Sequence, residues 1–234
     1  MSGTFLLDGI PVPFDDGDSL LAAARRAGHY IPHLCWSPRF PPHGSCKLCV
    51  VEIAGRHVSA CATPARDGLE VTNASAEILE TRRELVAMLF IEGNHFCPSC
   101  EKSGNCQLQA LAYDLELTSP RHNRFYPDRP VDASHPDILL DFNRCIFCEL
   151  CVRASRDVDG KDVFALGDRG IDKHLVVKSE SGQLGDTDFA ATDLAADICP
   201  VGVILHKRRG FATPIGERLY DGAPISARDM EDRT

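Results

Sequence analysis

The sequence predicts an α+β fold built from small domains strung along one chain. Three observations predict it. Short apolar runs alternate with two-residue turns near the N-terminus, a single long helical stripe occupies the middle, and eleven cysteines fall into three groups along the chain. The 234 residues suffice for one large domain or two to three small ones. A hydrophobic share of 44% with 25% charged residues marks a globular rather than a disordered chain. The net charge of −9 disfavours nucleic acid, which demands a basic face, and fits a soluble subunit that meets other proteins.

Residues 4–13 predict a hairpin, with Phe5, Leu6 and Leu7 before and Ile10 and Val12 after Asp8-Gly9, a favoured two-residue turn. Asp18-Ser19 predicts a cap ahead of a helix from Leu20 to Ala27, and Gly28 is its stop. Past Cys35 runs a loop with Pro38, Pro41, Pro42 and Gly44. Leu48 to Ile53 predicts a strand that turns at Ala54-Gly55 into Arg56 to Ala60, and Leu69 to Thr72 predicts a last strand. Two hairpins and one helix imply a small mixed sheet crossed by a helix.

Residues 75–92 predict one helix, because Ile78, Leu79, Leu85, Val86, Leu89 and Phe90 follow a helical period, interrupted by Arg82-Arg83. A cysteine-rich loop and a short helix from Gln107 to Leu115 follow. Residues 118–136 carry Pro120, Pro127, Pro130 and Pro136 and read as a linker or extended wrap. In the last third, Ile138 to Phe142, Val163 to Leu166 and Leu175 to Val177 predict strands. Helices are predicted up to Arg156 and over Ala190 to Ala196, ended by Cys199-Pro200. The expected domains are 1–78, 79–118 and 137–209, with a linker over 119–136. The remaining tail, 210–234, is expected to be extended or disordered.

The N-terminus has no basic region followed by a long apolar one, and no apolar run approaches bilayer length. A cytoplasmic address without a transmembrane segment is the resulting expectation. Thiols stay reduced there, so eleven cysteines, an odd number, point to metal rather than to disulfides.

The spacings say which metal chemistry. Cys145-x2-Cys148-x2-Cys151, with a distant Cys199-Pro200, is the bacterial ferredoxin pattern for a [4Fe–4S] cluster. Cys35, Cys46, Cys49 and Cys61 resemble a plant-type [2Fe–2S] set with a longer first gap. Gly44 and Ser45 are small enough to let backbone N–H groups approach the sulfurs. The middle group, Cys97, Cys100 and Cys106, has three thiolates, which leave one iron of a [4Fe–4S] cube open unless His95 closes it with a neutral imidazole. Zinc held by the same cysteines in a structural scaffold is the alternative.

In this order the three groups resemble the N-terminal iron–sulfur region of the large peripheral-arm subunit of respiratory complex I and the matching region of iron-only hydrogenases, over roughly residues 1–210. The resemblance implies a β-grasp-like [2Fe–2S] ferredoxin domain, a short helical [4Fe–4S] domain with one histidine and three cysteine ligands, and a ferredoxin-like [4Fe–4S] domain. Its ligand sets fall on Cys35, Cys46, Cys49 and Cys61, on His95, Cys97, Cys100 and Cys106, and on Cys145, Cys148, Cys151 and Cys199. The histidine departs from the family's H-x3-C spacing, standing here in H-x-C. The chain also lacks the large C-terminal domain of the complex I subunit and the extra cysteines of an iron-only hydrogenase site. What remains is similar to the small diaphorase subunit of bidirectional, NAD-reducing nickel–iron hydrogenases.

That family implies an electron relay with no catalytic residue of its own, an oxidoreductase by membership. FMN and NAD are then expected on a diaphorase partner, and the nickel–iron centre on hydrogenase small and large subunits. The chain has no dinucleotide or phosphate-loop motif of its own. An electron-input subunit of an NAD-linked formate dehydrogenase, an electron-bifurcating hydrogenase or a complex I-like enzyme is the nearest alternative.

Overall fold

The computed structural model describes residues 2–125 and 128–228. It divides into two compact units, one comprising Met1–Val86, Leu111–Thr118 and Ala223–Thr234, the other Ala87–Ala110 and Ser119–Gly222.

In the first unit, β1 (Gly3–Leu7) and β2 (Ile10–Phe14) form the expected hairpin. Asp8 and Gly9 both take positive φ, 50° and 82°, the twist that a two-residue hairpin turn requires. Helix α1 (Leu20–Arg26) starts at Ser19, whose side chain accepts from the Ala22 N–H at 3.2 Å. Strands β3 (Val50–Ile53) and β4 (Arg56–Ser59) make a second hairpin. Strand β5 (Glu70–Val71) pairs parallel to β1, giving the sheet order β2-β1-β5. Reciprocal bonds between Glu52 and Thr72, both 2.9 Å, join β3 to the end of β5. Phe5, Leu7, Val12, Leu20, Leu21, Val51 and Val71 form the core, and Cys49 and Cys61 belong to it.

Helix α2 (Ala76–Glu92) begins on Ser75, whose hydroxyl accepts from the Ile78 N–H. Arg82, which the sequence shows as a break in the apolar stripe, is instead among the most buried side chains, 2% exposed. Its guanidinium donates to the carbonyls of Leu48 (3.1 Å), Val50 (2.7 Å) and Asn73 (2.9 Å) and to Asn73 Oδ1 (2.6 Å). Burial pulls its pKa down to about 10, so it stays charged at neutral pH. Arg82 thus ties α2 to the strand that follows Cys46 and Cys49.

Helix α3 (Gln107–Asp114) ends one residue before the expected Leu115. In the second unit, β6 (Val131–Asp132), β7 (Ile138–Asp141) and β10 (Ile204–His206) form an antiparallel sheet in the order β10-β7-β6. Strand β6 lies in the stretch read as a linker, and no local pattern announces β10. Helix α4 (Leu150–Asp157) follows the third cysteine group, and β8 (Phe164–Gly167) pairs with β9 (His174–Val177). The expected helix over 190–196 is only α5 (Leu194–Asp197). Asp193 turns its carboxylate back to the Ala190 N–H at 2.8 Å and pairs with Lys161, which diverts the chain before the helix can start. The tail is neither wholly extended nor disordered over its described part: residues 216–221 form hydrogen-bonded turns, and α6 (Ile225–Arg228) follows. Residues 229–234 lie outside the described residues.

Arg82→Met leaves three carbonyls, two of them buried, without their donor. The substitution is expected to lower the unfolding free energy by about 3–5 kcal/mol, read as a lower urea midpoint at unchanged slope. A loss below about 1 kcal/mol would mean the carbonyls find other partners.

Candidate metal centres

In the first unit, Cys35, Cys49 and Cys61 are at most 1% exposed, and Cys46 is partly buried. The four thiols form two hydrogen-bonded pairs, Cys35 with Cys46 and Cys49 with Cys61. The pairs also feel one another, Cys61 through Cys35 and Cys49 through Cys46. Sharing a proton with Cys46 holds the Cys35 thiol down at about 5, while Cys46 is pushed up. The backbone N–H groups of Ser45 and Cys46 point at Cys35, the latter at 3.4 Å, and that of Gly44 points at Cys61. Gly44, at φ +69, supplies the reversal this approach needs. Two sulfur pairs suit two metal ions bridged by sulfide, each ion taking one pair.

In the second unit, a pocket of about 320 Å³ is lined by His95, Cys97, Cys100 and Cys106, with Phe90, Leu108, Gln109, Arg144 and Gly202 completing the wall. A short 3-10 turn carries Cys97, and Cys106 immediately precedes α3. Gln109 staples the loop between them, accepting from the Gly104 N–H at 2.7 Å and donating to Ser103 Oγ at 3.1 Å. His95 is partly exposed as a residue, but its Nε2 is out of solvent and has no hydrogen-bond partner among the described residues. Burial, then the charges of Arg144 and Arg129, hold its pKa down at about 4, so the ring is neutral at pH 7. Phe90 packs edge-on against it at 5.5 Å, and a Cβ on Gly93 would meet Nε2 at 2.5 Å. An inward, neutral, unpartnered imidazole nitrogen beside three thiols is a ready metal donor. Burial pushes the Cys106 thiol up to about 12, with Cys100 and Cys97 adding to the effect, so a metal bound there would have to displace its proton.

A second pocket, of about 330 Å³, is lined by Cys145, Cys148, Cys151 and Cys199 among Ile146, Phe147, Leu166, Leu175, Val201 and Val203. Phe147 and Glu149 take left-handed φ of 53° and 59°, conformations that cost a non-glycine residue about 1–2 kcal/mol each. The reversals turn the backbone so that the Phe147 N–H points at Cys145 Sγ, 3.5 Å away. Burial raises Cys145 to about 12 and Cys151 well above its ordinary range, and Cys199 adds to both. All twelve residues singled out from the sequence therefore fall into three separate sets, and pockets of about 320 and 330 Å³ lie among the second and third.

Apart from Gly44 and Ser45, the sequence did not single out the residues around these sets. Arg144 reaches Cys100 Sγ at 3.3 Å and is neutralised by Glu101 (2.9 Å) and Asp141 (2.7 Å). The Gln107 N–H donates to the Pro200 carbonyl, and a Cβ on Gly202 would meet Cys100 Sγ at 3.0 Å, so the two pockets of this unit share walls. A C-terminal strap closes the Cys100–Cys106 loop from outside: Arg218 donates to the Ser103 carbonyl, Leu219 N–H to Asn105, and Tyr220 N–H to the Gly104 carbonyl.

Family models match three consecutive stretches: a 2Fe-2S iron-sulfur cluster binding domain over residues 3–76, the NADH-ubiquinone oxidoreductase-G iron-sulfur binding region over 82–121, and a 4Fe-4S single cluster domain over 138–205. With the three donor sets, they define an iron–sulfur protein of several domains with an α+β fold. The gamma subunit of NAD-reducing hydrogenase HoxS from Cupriavidus necator is 38% identical over 232 residues, 99% of this chain and 98% of that one. The chain belongs to this gamma-subunit family. A chain in the crystal structure of an NAD+-reducing [NiFe]-hydrogenase in the H2-reduced state superposes with a TM-score of 0.95 at 54% identity, covering 98% of this chain and 99% of that one. An NADH-quinone oxidoreductase subunit from Rhizobium meliloti is 35% identical over 208 residues, 85% of this chain but only 23% of its own length. Among the described residues no helix is long and apolar enough to cross a membrane.

The strap depends on one ion pair. Arg218 and two backbone N–H groups hold the Asp221 carboxyl at about 2. Its folded value lies below the unfolded one, so its contribution is complete above about pH 4 and is lost as pH falls through about 2. Asp221→Asn is expected to speed amide exchange in residues 103–106 and 218–221 about tenfold at neutral pH. Wild-type exchange rates in the variant would contradict it.

Proposed function

We propose that this chain relays single electrons between an FMN- and NAD-binding diaphorase subunit and a nickel–iron hydrogenase module, in either direction. The overall reaction is H2 + NAD+ to NADH + H+. The observation that carries this reading is the conjunction of three donor sets on one chain whose full-length relatives are subunits of NAD-reducing hydrogenases. On it, Cys35, Cys46, Cys49 and Cys61 hold a [2Fe–2S] cluster. His95, Cys97, Cys100 and Cys106 hold one [4Fe–4S] cluster, and Cys145, Cys148, Cys151 and Cys199 hold the other. The clusters, when bound, supply reversible one-electron chemistry.

The chain's own residues do the rest. Apolar side chains wall the pocket of Cys145, Cys148, Cys151 and Cys199, a mixed wall with Phe90, Leu108, Gln109 and Arg144 surrounds the His95 pocket, and backbone N–H groups donate to sulfurs at Cys35, Cys61 and Cys145. His95 contributes a neutral ligand, which removes one negative charge relative to a fourth thiolate. No residue is assigned a bond-making role, so hydrogen and NAD are handled by the partners. The domains read best as 1–78, 79–118 and 137–209, and reduced thiols fit a cytoplasmic assembly. Identities of 38% and 54% to hydrogenase chains, against 35% to the quinone-reductase subunit, favour the hydrogenase over the other NAD-linked complexes.

Protein purified without oxygen is expected to carry about ten irons and ten acid-labile sulfides per chain. His95→Ala is expected to change only the paramagnetic signal of the middle cluster and to leave the other two intact. Stoichiometric zinc in a colourless sample would contradict the reading. An unchanged set of signals in the variant would remove His95 from the site.

A further inference from the structure

The stretch that reads as a proline-rich linker holds a buried, unneutralised cation in the second unit. Arg129 is only 8% exposed. Its Nη1 and Nη2 are both out of solvent, and neither has a hydrogen-bond partner among the described residues. The guanidinium lies over the Phe147 ring, 5.0 Å from its centre, and Phe147 sits between Cys145 and Cys148.

This placement is built, not incidental. The Arg129 N–H donates to Asn143 Oδ1 at 3.0 Å, and the Arg129 carbonyl accepts from Asn143 Nδ2 at 2.7 Å. Asn143 is itself fixed by Asp141 Oδ1, and its carbonyl accepts from Asn94 N–H, next to His95. One asparagine, two residues before Cys145, therefore joins the Arg129 backbone to the segment that carries His95. The guanidinium acts electrostatically on both Cys145 and His95. The surroundings do little to cancel it. Glu92 also acts on Cys145, but it is half-exposed and screened, and Lys173 adds a second cation over Phe147 at 5.6 Å. Arg144, by contrast, carries two carboxylates of its own.

An unpaired buried charge is costly and is kept only where something answers it. A cluster ligated by four thiolates is negative and gains one further negative charge on reduction. A fixed cation beside it favours the reduced form, and in a poorly screened interior that preference is worth about one tenfold step in the equilibrium. We propose that Arg129 is a tuning residue that raises the reduction potential of the cluster held by Cys145, Cys148, Cys151 and Cys199. The proposal rests on the ligand assignment above.

The test is potentiometry followed by paramagnetic resonance on the full chain, prepared without oxygen, with iron counted in each sample. The third cluster's signal is identified by its loss in Cys199→Ala. In Arg129→Met and Arg129→Gln, at a fixed potential near the wild-type midpoint, the reduced-to-oxidised ratio of that cluster is expected to fall about tenfold, ~59 mV for one electron. Arg129→Lys, which keeps the charge, is expected to restore most of the difference. Unchanged midpoints at wild-type iron content would overturn the proposal. Loss of the third cluster's iron from both neutral variants would also overturn it, by assigning Arg129 to the fold alone. Wild-type protein without iron would instead remove the ligand assignment beneath it.

Discussion

Eight buried thiols and one imidazole nitrogen face inward, where water cannot reach them. Sulfur is a weak hydrogen-bond partner, so burying it costs little in polar satisfaction, but a neutral imidazole nitrogen without a partner does carry a penalty. Much of the local structure follows from turning these atoms toward common centres. The Cys145 loop passes through two left-handed non-glycine residues, Phe147 and Glu149. The Cys35 loop reverses at Gly44. Gly93 leaves room for the His95 ring. Together these local features bring the sulfurs and the imidazole nitrogen toward one another.

The same demand explains how charge is distributed. The chain is acidic overall, yet arginines are placed inward beside the donor sets. They are treated differently. Arg82 is satisfied by four oxygens that carry no formal charge, so it binds backbone together while keeping its charge. Arg144 is neutralised by two carboxylates and serves as a clamp between Cys100 and Gly202. Arg129 has neither arrangement among the described residues. Hydrogen bonding, pairing and isolation give three arginines three physical roles in one small protein.

The donor sets were legible because thiolate spacing is local: a C-x2-C turn brings two sulfurs together whatever surrounds it. The first hairpin and α1 were legible for the same reason, since Asp8-Gly9 and Ser19 act within a few residues. What escaped the sequence is set by distant partners. Strands β6 and β10 are two and three residues long and exist only by pairing with β7. The start of α5 is displaced by Asp193, whose preference for Lys161 and the Ala190 N–H no period reveals. Arg82 and Arg129 stand in a helical stripe and a proline-rich stretch where a charged side chain reads as solvent-facing. The strap over residues 216–221 is anchored by backbone groups of the Ser103–Asn105 loop, more than a hundred residues away.

The account depends on metal occupying the hollows between these donors, and one measurement reaches that directly. Crystals of the full chain grown without oxygen, with anomalous scattering recorded on both sides of the iron and zinc absorption edges, show which element lies where. The account predicts iron density in three separate places: between the Cys35–Cys46 and Cys49–Cys61 pairs, beside His95 Nε2, and among Cys145, Cys148, Cys151 and Cys199. Single zinc peaks at those places, or no anomalous density there, would contradict it.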